Sequence, residues 1–595
     1  MRCCPECRRG YYDNALLFCI DDGNALLDGP VTVEMTSQFN KMLSLVGLVL
    51  LVLTTLAAGQ AVGTQPAELE PALRSVEAKR ISEHVKTLAS DKFEGRAPGT
   101  TGETLTVNYL SEQFKKSGVK PGNPNGTYFQ NVALVGYRTV PQIEVEASGK
   151  NVPFVFLDDF VHDFPVLRPS ATVKNAPIVF AGYGIVAPQY GWDDYKGLDV
   201  RGKLVIVLSG EPAVADKTDP KKLDASMFRG ETRTYYSTRE FKFETAAAKG
   251  AAGILVVYDP TKANTYSLFQ TFAKMEGFAL KPSVANTRTL ISGLMTIDAA
   301  KRIFSASGQD FEKLSANAAQ VGFSAIETRA RANIAVRSKL RNIVSRNVVA
   351  RIEGSDPVLK NEYVIYSAHW DHLGRDRKLK GDRIYNGAID NAIGTAMLLE
   401  VARGFAKLPK KPRRSILFIG TTSEEKGYLG ARYYTLNPLY PIADAVANIN
   451  LDGGNAWGIT KDVLSASYGH STLDETLEEA AAMQKRIFLR ESLGDGGYYF
   501  ASDQVEFAEA GIPSIFPFSG FDYAGKPTDF GDGKWSSYSD NDYHQVSDEI
   551  RPDWDLSGAA EDTRWLLIAG WNVAQTTERP KWKPESEFTD LGRNK

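Results

Sequence analysis

The chain has 595 residues, 43% hydrophobic and 24% charged, enough for several cores at roughly 100–200 residues per domain, and this excludes a small disulfide-stapled scaffold. Its 69 Lys and Arg nearly balance 72 Asp and Glu, leaving a formal net charge of −3, so no global field steers it to nucleic acid, an anionic membrane or an acidic polymer. All four cysteines (Cys3, Cys4, Cys7, Cys19) fall in the first nineteen residues and the whole chain has six histidines, so a metal site beyond Cys19 must use carboxylates and a few imidazoles.

The opening segment, 1–34, spaces Cys4 and Cys7 as C-x-x-C, with eleven residues between Cys7 and Cys19 and with Asp22 behind it as C-x-x-D. This resembles half of a zinc ribbon, in which Cys4, Cys7 and Cys19 with Asp22 or Cys3 complete a tetrahedron around a structural zinc. Residues 42–61 follow, MLSLVGLVLLVLTTLAAGQA, whose first seventeen residues, 42–58, carry no charge. That run reads as a signal-peptide core cleaved after Ala61 or as a short membrane anchor. Arg2, Arg8, Arg9 and Lys41 precede it and the next basic residue is Arg74, so the N-terminus is expected in the cytoplasm and the rest of the chain outside it, periplasmic, secreted or membrane-anchored. Translation from Met35 would give an ordinary signal peptide and the same export.

After a polar linker, ISEHVKTLAS and TVNYLSEQFKKSG predict amphipathic helices on either side of the turn-rich EGRAPGTTG, within a first segment at 76–149. From about residue 150 to 335, short apolar strands (APIVFAGYGIV, KLVIVLSG, GILVVYD) alternate with Gly and Pro turns around the Ala-rich ETAAAKGAA, and a separate β-rich module is expected there. Across 336–580 the pattern becomes strand, loop, helix: VVARIEG, EYVIYSA, the helix TAMLLEVARGFAKL, RSILFIG, AVANINL and IPSIFPF. This predicts an α/β fold with a mostly parallel central sheet flanked by helices, whose ligands bind beyond the carboxyl ends of the strands. Met397, Leu398, Val401, Phe405 and Leu408 share one side of the predicted helix and are assigned to packing.

Just past those strand ends stand His369 and Asp371, then Asp390, Glu424 and Glu425, Asp452 and finally His544. Two imidazoles and three carboxylates suit a pair of divalent ions about 3.5–4 Å apart with one bridging carboxylate. Of two adjacent glutamates one ligates easily and leaves the other beside the bound water as general base. His372 is expected beside the site or in solvent rather than as a ligand, and His84, His162 and His470 at the surface or in structural roles.

The strings SAHWDHLG, IYNGAIDNAIGTAMLLEVAR, RRSILFIGTTSEEKGYLGARYY, NINLDGGN, SDQVEFAEAGIPSIF and DNDYHQVSDE together resemble the two-zinc aminopeptidase family, which includes glutamate carboxypeptidase and glutaminyl cyclase relatives. LASDKFEGRAPGTTGETLTVNYLSEQFKKSGVKPG is similar to that family's N-terminal helices, and APIVFAGYGIVAPQYGWDDYKGLDVRGKLVIVLSGEP with KFETAAAKGAAGILVVYD resembles its inserted protease-associated domain. The resemblance implies that His369 and Asp452 hold one Zn2+, that Glu425 and His544 hold the other, and that Asp390 bridges both. It further implies that Asp371 orients His369, that Glu424 is the base and acid, and that Tyr543 hydrogen-bonds the oxyanion. Ile389, Ile393, Gly453–Gly454 and Gln504 depart from the family pattern without removing a ligand, and the stretch 522–540 is expected as a loop over the site. The implied activity is an exported metallo-aminopeptidase acting on peptides, with a carboxypeptidase or dipeptidase as the alternative and a silent binding protein as a remote one.

Overall fold

A computed structural model describes residues 66–591 apart from 164–165, 259–265, 282–288, 491–492 and 494–496, together with three two-residue strands nearer the N-terminus. The chain divides into two units, 1–61 and 62–595. In the first, the strand Arg2–Cys3 pairs antiparallel with Gly10–Tyr11 on one side and Leu27–Asp28 on the other. The thiols of Cys4, Cys7 and Cys19 and the apolar run 42–61 lie outside the described residues. Among the described residues no helix is long and apolar enough to cross a membrane.

In the second unit, Tyr363–His369, Ser415–Thr421 and Ala445–Asn450 are buried along their whole length. Continuous apolar strands of this kind belong at the centre of a parallel sheet covered on both faces. They lie in the order Ser514–Ile515, Ala445–Asn450, Tyr363–His369, Ser415–Thr421, all parallel, with the long strand Ile326–Ile352 antiparallel beyond them. The register sets Tyr363 against Ser415 and His369 against Thr421, so the carboxyl ends of the central strands share one edge. On one face the helix Gly394–Ala406 buries Met397, Leu398, Val401 and Phe405 in a core shared with Trp565 and Leu567 of the helix Ser557–Gln575. On the other face Tyr434 and Phe507 pack over Ile365 and Leu417.

The region 150–335 is continuous with this sheet. Ile326–Ile352 pairs with Phe129–Ala147 from Ala330↔Ala147 to Val348↔Phe129 and also with Ser170–Phe180, which leads into the parallel strands Leu204–Leu208, Gly253–Tyr258 and Ile291–Thr296. The boundary expected at 335 therefore falls inside one strand. The alternation that buries Thr328, Ala330, Ala332, Ile334 and Val336 continues through that point with no turn residue to end it. This region still has cores of its own, one with Phe160, Phe180, Phe304 and Phe311 at its centre.

One sequence expectation needs correction. The stretch 522–540 is not all loop: Phe530–Asn541 is helical, anchored where Trp535 meets Trp457 edge-on at 5.0 Å and Tyr538 is buried. Its glycines and aspartates mask a helix held by tertiary aromatic contacts rather than by an apolar stripe. His84, His162 and His470 are all buried, which selects the structural alternative of the two expected for them.

Candidate active site

Each candidate side chain is delivered by the end of a sheet strand or by a turn against it. His369 closes its strand, and Asp371 and His372 follow in the loop. Asp390 sits in the turn Ala388–Ile393 that feeds the helix Gly394–Ala406. Glu424 and Glu425 open the turn after Ser415–Thr421, whose entry residue Ser423 is left-handed (φ 57°). Asp452 follows Ala445–Asn450, and His544, also left-handed (φ 58°), follows the helix Phe530–Asn541.

The polar atoms converge. His369 Nε2 lies 3.0 Å from Asp452 Oδ1 and 3.2 Å from Asp390 Oδ1. His544 Nε2 lies 3.0 Å from Asp390 Oδ2 and 3.1 Å from Glu425 Oε2. Asp390 thus turns one carboxylate oxygen to each histidine. Nitrogen and oxygen donors about 2.0–2.1 Å from a tetrahedral ion stand roughly 3.3 Å from each other, so both sets fit a zinc-sized cation. His369, Asp390 and Asp452 form one cluster able to hold an ion, and His372, Asp390 and Glu425 form another. His372 is fully buried, with Nδ1 2.5 Å from Glu425 Oε1. The expectation of a solvent position fails for it, because the loop turns inward against Gly387, where a Cβ would come within 2.6 Å of the His372 ring.

The Glu424 carboxylate lies 3.9 Å from His369 Nε2 and is almost wholly buried. Burial pushes it well above the usual carboxyl range; Asp452, Glu425 and Asp503 add to the rise and His369 opposes it. A carboxyl displaced toward neutrality is suited to accept and return a proton. The hydrogen bond at His369 Nδ1 goes to the Asp371 backbone carbonyl at 3.2 Å, whereas the nearer Asp371 carboxylate oxygen is 4.0 Å away. That oxygen accepts from the Glu424 backbone N–H at 3.1 Å, so the Asp371 carboxylate fixes the turn carrying the glutamates. Tyr543 stacks on the His544 ring with centroids 3.9 Å apart and is 43% exposed, at the open side of the cluster.

Four further residues hold this arrangement and were not singled out from the sequence as site residues. Asp548 accepts from the backbone N–H of Ile389 (3.0 Å) and of Asp390 (3.1 Å) and from Tyr538 Oη (3.3 Å). Asn391 Oδ1 accepts from Gly394 and Gly453, both at 3.0 Å, and its amide donates to Leu451 O, tying the Asp390 turn to the Asp452 strand. Arg96, fully buried, donates to the carbonyls of Trp370, Leu88, Asn386 and Gly387, bridging the loops of His369 and Asp390. Asp503 accepts from Thr421 Oγ1, and burial raises its carboxyl to about 7. The signals were present in EGRAPGT, IDNAIG, SDQ and HQVSDE, but nothing in the spacing separates a buried polar residue from an exposed one. Gln504, noted only as a departure, accepts from Asn450 Nδ2 at 2.8 Å and so steadies the strand leading to Asp452.

Residues 347–568 match the model of Peptidase family M28. Among curated proteins, the chain is 32% identical over 220 residues to a probable glutamate carboxypeptidase, AMP1, of Arabidopsis thaliana, covering 34% of this chain and 28% of that protein. It is 36% identical over 124 residues to the aminopeptidase NAALADL1 of Mus musculus, covering 20% and 15%. The matches thus span less than a third of these relatives' length. Among solved structures, an aminopeptidase from Aneurinibacillus sp. strain AM-1 aligns with a TM-score of 0.46 at 17% identity, covering 86% of this chain and 97% of that one. The metal-ligating residue types gathered at the strand ends all lie inside the stretch, residues 347–568, that matches the model of Peptidase family M28.

Proposed function

We propose that this chain is an exported zinc-dependent exopeptidase, an aminopeptidase that releases N-terminal residues from peptides. One observation carries the reading: Asp390 offers Oδ1 to the His369–Asp452 pair and Oδ2 to the His544–Glu425 pair, the disposition expected of a carboxylate shared by two ions. Zinc bound there would polarise the scissile carbonyl and lower the pKa of the attacking water.

The chain's own residues do the rest. Glu424 takes the proton from the water and delivers it to the departing amine; its carboxylate is close to the His369–Asp452 pair and is held by the Asp371 contact to its backbone. Tyr543, open to solvent beside His544, donates to the oxyanion. The acidic groups around Asp452 favour a substrate's free α-ammonium over an anion. The curated relatives, an aminopeptidase and a probable glutamate carboxypeptidase, agree with an exopeptidase. Residues 42–58 would direct export or anchor the enzyme, and Cys4, Cys7 and Cys19 would hold a separate structural zinc.

The test combines metal analysis of the purified protein with hydrolysis of free-amine and N-acetylated peptides of the same sequence. Two zinc ions at the catalytic site, beside a third in protein that keeps Cys4, Cys7 and Cys19, and cleavage of the free-amine peptides alone are expected. Cleavage of the acetylated peptides alone would replace the aminopeptidase by a carboxypeptidase.

A further inference from the structure

The helix Tyr266–Lys274 belongs to the region 150–335, far in sequence from every metal-ligating candidate, yet it reaches the site. The Phe272 ring stands edge-on to His544 with centroids 5.5 Å apart. Two contacts fix the helix: Gln270 Nε2 donates to Leu157 O at 2.8 Å, and the Arg239 guanidinium lies 4.5 Å from the Phe269 ring. Arg239 itself is neutralised by Asp163 at 2.6 Å.

Phe272 also faces a charge. Lys426 Nζ sits 5.0 Å from the centre of its ring. Lys426 follows Glu425 in the chain and is half-buried, and among the described residues no carboxylate lies within 4.0 Å of its ammonium. The nearest candidate by sequence, Glu425, is engaged with His372 and His544. The carboxylates of Glu425, Asp371 and Glu424 act on it only from beyond 4.0 Å, so its direct contact is the aromatic face, and an ammonium without a directly paired counter-ion beside the candidate site is arranged to receive an anion.

We propose that Lys426, backed by Phe272, is a specificity site for the C-terminal carboxylate of the substrate, which makes free dipeptides with an apolar second residue the preferred substrate class. The proposal rests on the aminopeptidase reading for its orientation. Like charge keeps the substrate's α-ammonium away from Lys426 and directs it to the Asp452 side. The leaving residue then lies toward Lys426, and in a dipeptide its carboxylate is separated from the scissile nitrogen by a single carbon. Its side chain meets Phe272, so the region 150–335 contributes directly to substrate choice.

The experiment uses the full-length enzyme with four forms of Leu-Leu: free or acetylated at the amine, crossed with free or amidated at the carboxyl end. Wild-type enzyme is expected to hydrolyse the free acid at least ten-fold better than the amide in kcat/KM, mostly through KM. Lys426→Met is expected to bring that ratio to about one, and Phe272→Ala to raise KM for both forms. An acid-to-amide ratio near one in the wild type, which needs no variant to fold, overturns the proposal. So does an unchanged ratio in Lys426→Met with normal zinc content. The amine comparison reads the aminopeptidase assignment separately: preference for acetylated substrates refutes that assignment while the carboxylate ratio stays measurable.

Discussion

Asp548 gives the sharpest test of how the site is held. Its two oxygens accept from the consecutive N–H groups of Ile389 and Asp390 at 3.0 and 3.1 Å, in a buried position where water cannot substitute. Burial raises its carboxyl to about 6, so it is mostly ionised at neutral pH. Asp548→Asn preserves shape but leaves one oxygen; the other N–H then faces an NH2 group. The change removes one charge-assisted hydrogen bond, about 1.5–3 kcal/mol, and leaves a buried donor unpaired at a further cost of about 1–3 kcal/mol. The turn carrying Asp390 can relieve that strain only by moving, and the displaced carboxylate then serves the two histidines less well. Loss of supporting hydrogen bonds around a metal ligand typically costs about 10–100-fold in affinity. Competition of the purified variant with a zinc-binding fluorophore, beside circular dichroism to verify the fold, is expected to show a loss in that range. Affinity within three-fold of wild type in a folded variant would refute the argument that this carboxylate positions Asp390.

Glu424→Gln should retain zinc and lose about 10²–10⁴ in kcat, since the amide keeps the packing but cannot shuttle a proton; metal content and initial rates on a free-amine peptide check it, and full activity would sink the mechanism. Arg96→Lys should destabilise the protein by about 3 kcal/mol in urea unfolding, because one ammonium cannot reach the four carbonyls that the guanidinium serves; a loss under about 1 kcal/mol would show those bonds to be dispensable. His162 is buried, and burial lowers its pKa to about 4. Below about 6.5 the unfolded chain therefore binds a proton that the folded one refuses, and stability falls with pH toward 4 by on the order of 3 kcal/mol in total. His162→Gln should flatten the fall between pH 7 and pH 5 in denaturant titrations, and an identical pH slope in wild type and variant would remove His162 as its source.

Much of the catalytic segment is written locally. Runs such as EYVIYSA and RSILFIG are too uniformly apolar for a half-exposed strand, and alternation with an amphipathic helix leaves a covered parallel sheet as the consistent solution. Carboxylates and imidazoles placed directly after those runs then fall on one edge, so His369, Asp390, Glu424, Glu425, Asp452 and His544 can be named before any coordinates. Tertiary structure decided what spacing does not encode. His369 ends its strand and His372 lies three positions on in the loop, and only the inward turn against Gly387 carries that second imidazole to Glu425. Arg96 and Asp548 serve backbone groups remote in sequence, and hydrogen bonds to carbonyls and amides have no residue-type complement to reveal them. Phe272 meets His544 across 272 positions because the long strands Phe129–Ala147 and Ile326–Ile352 fold the intervening region back over the strand ends. Periodicity and residue chemistry fix what the elements are and which edge is reactive; long-range packing alone brings a wall and a cation from distant segments to that edge.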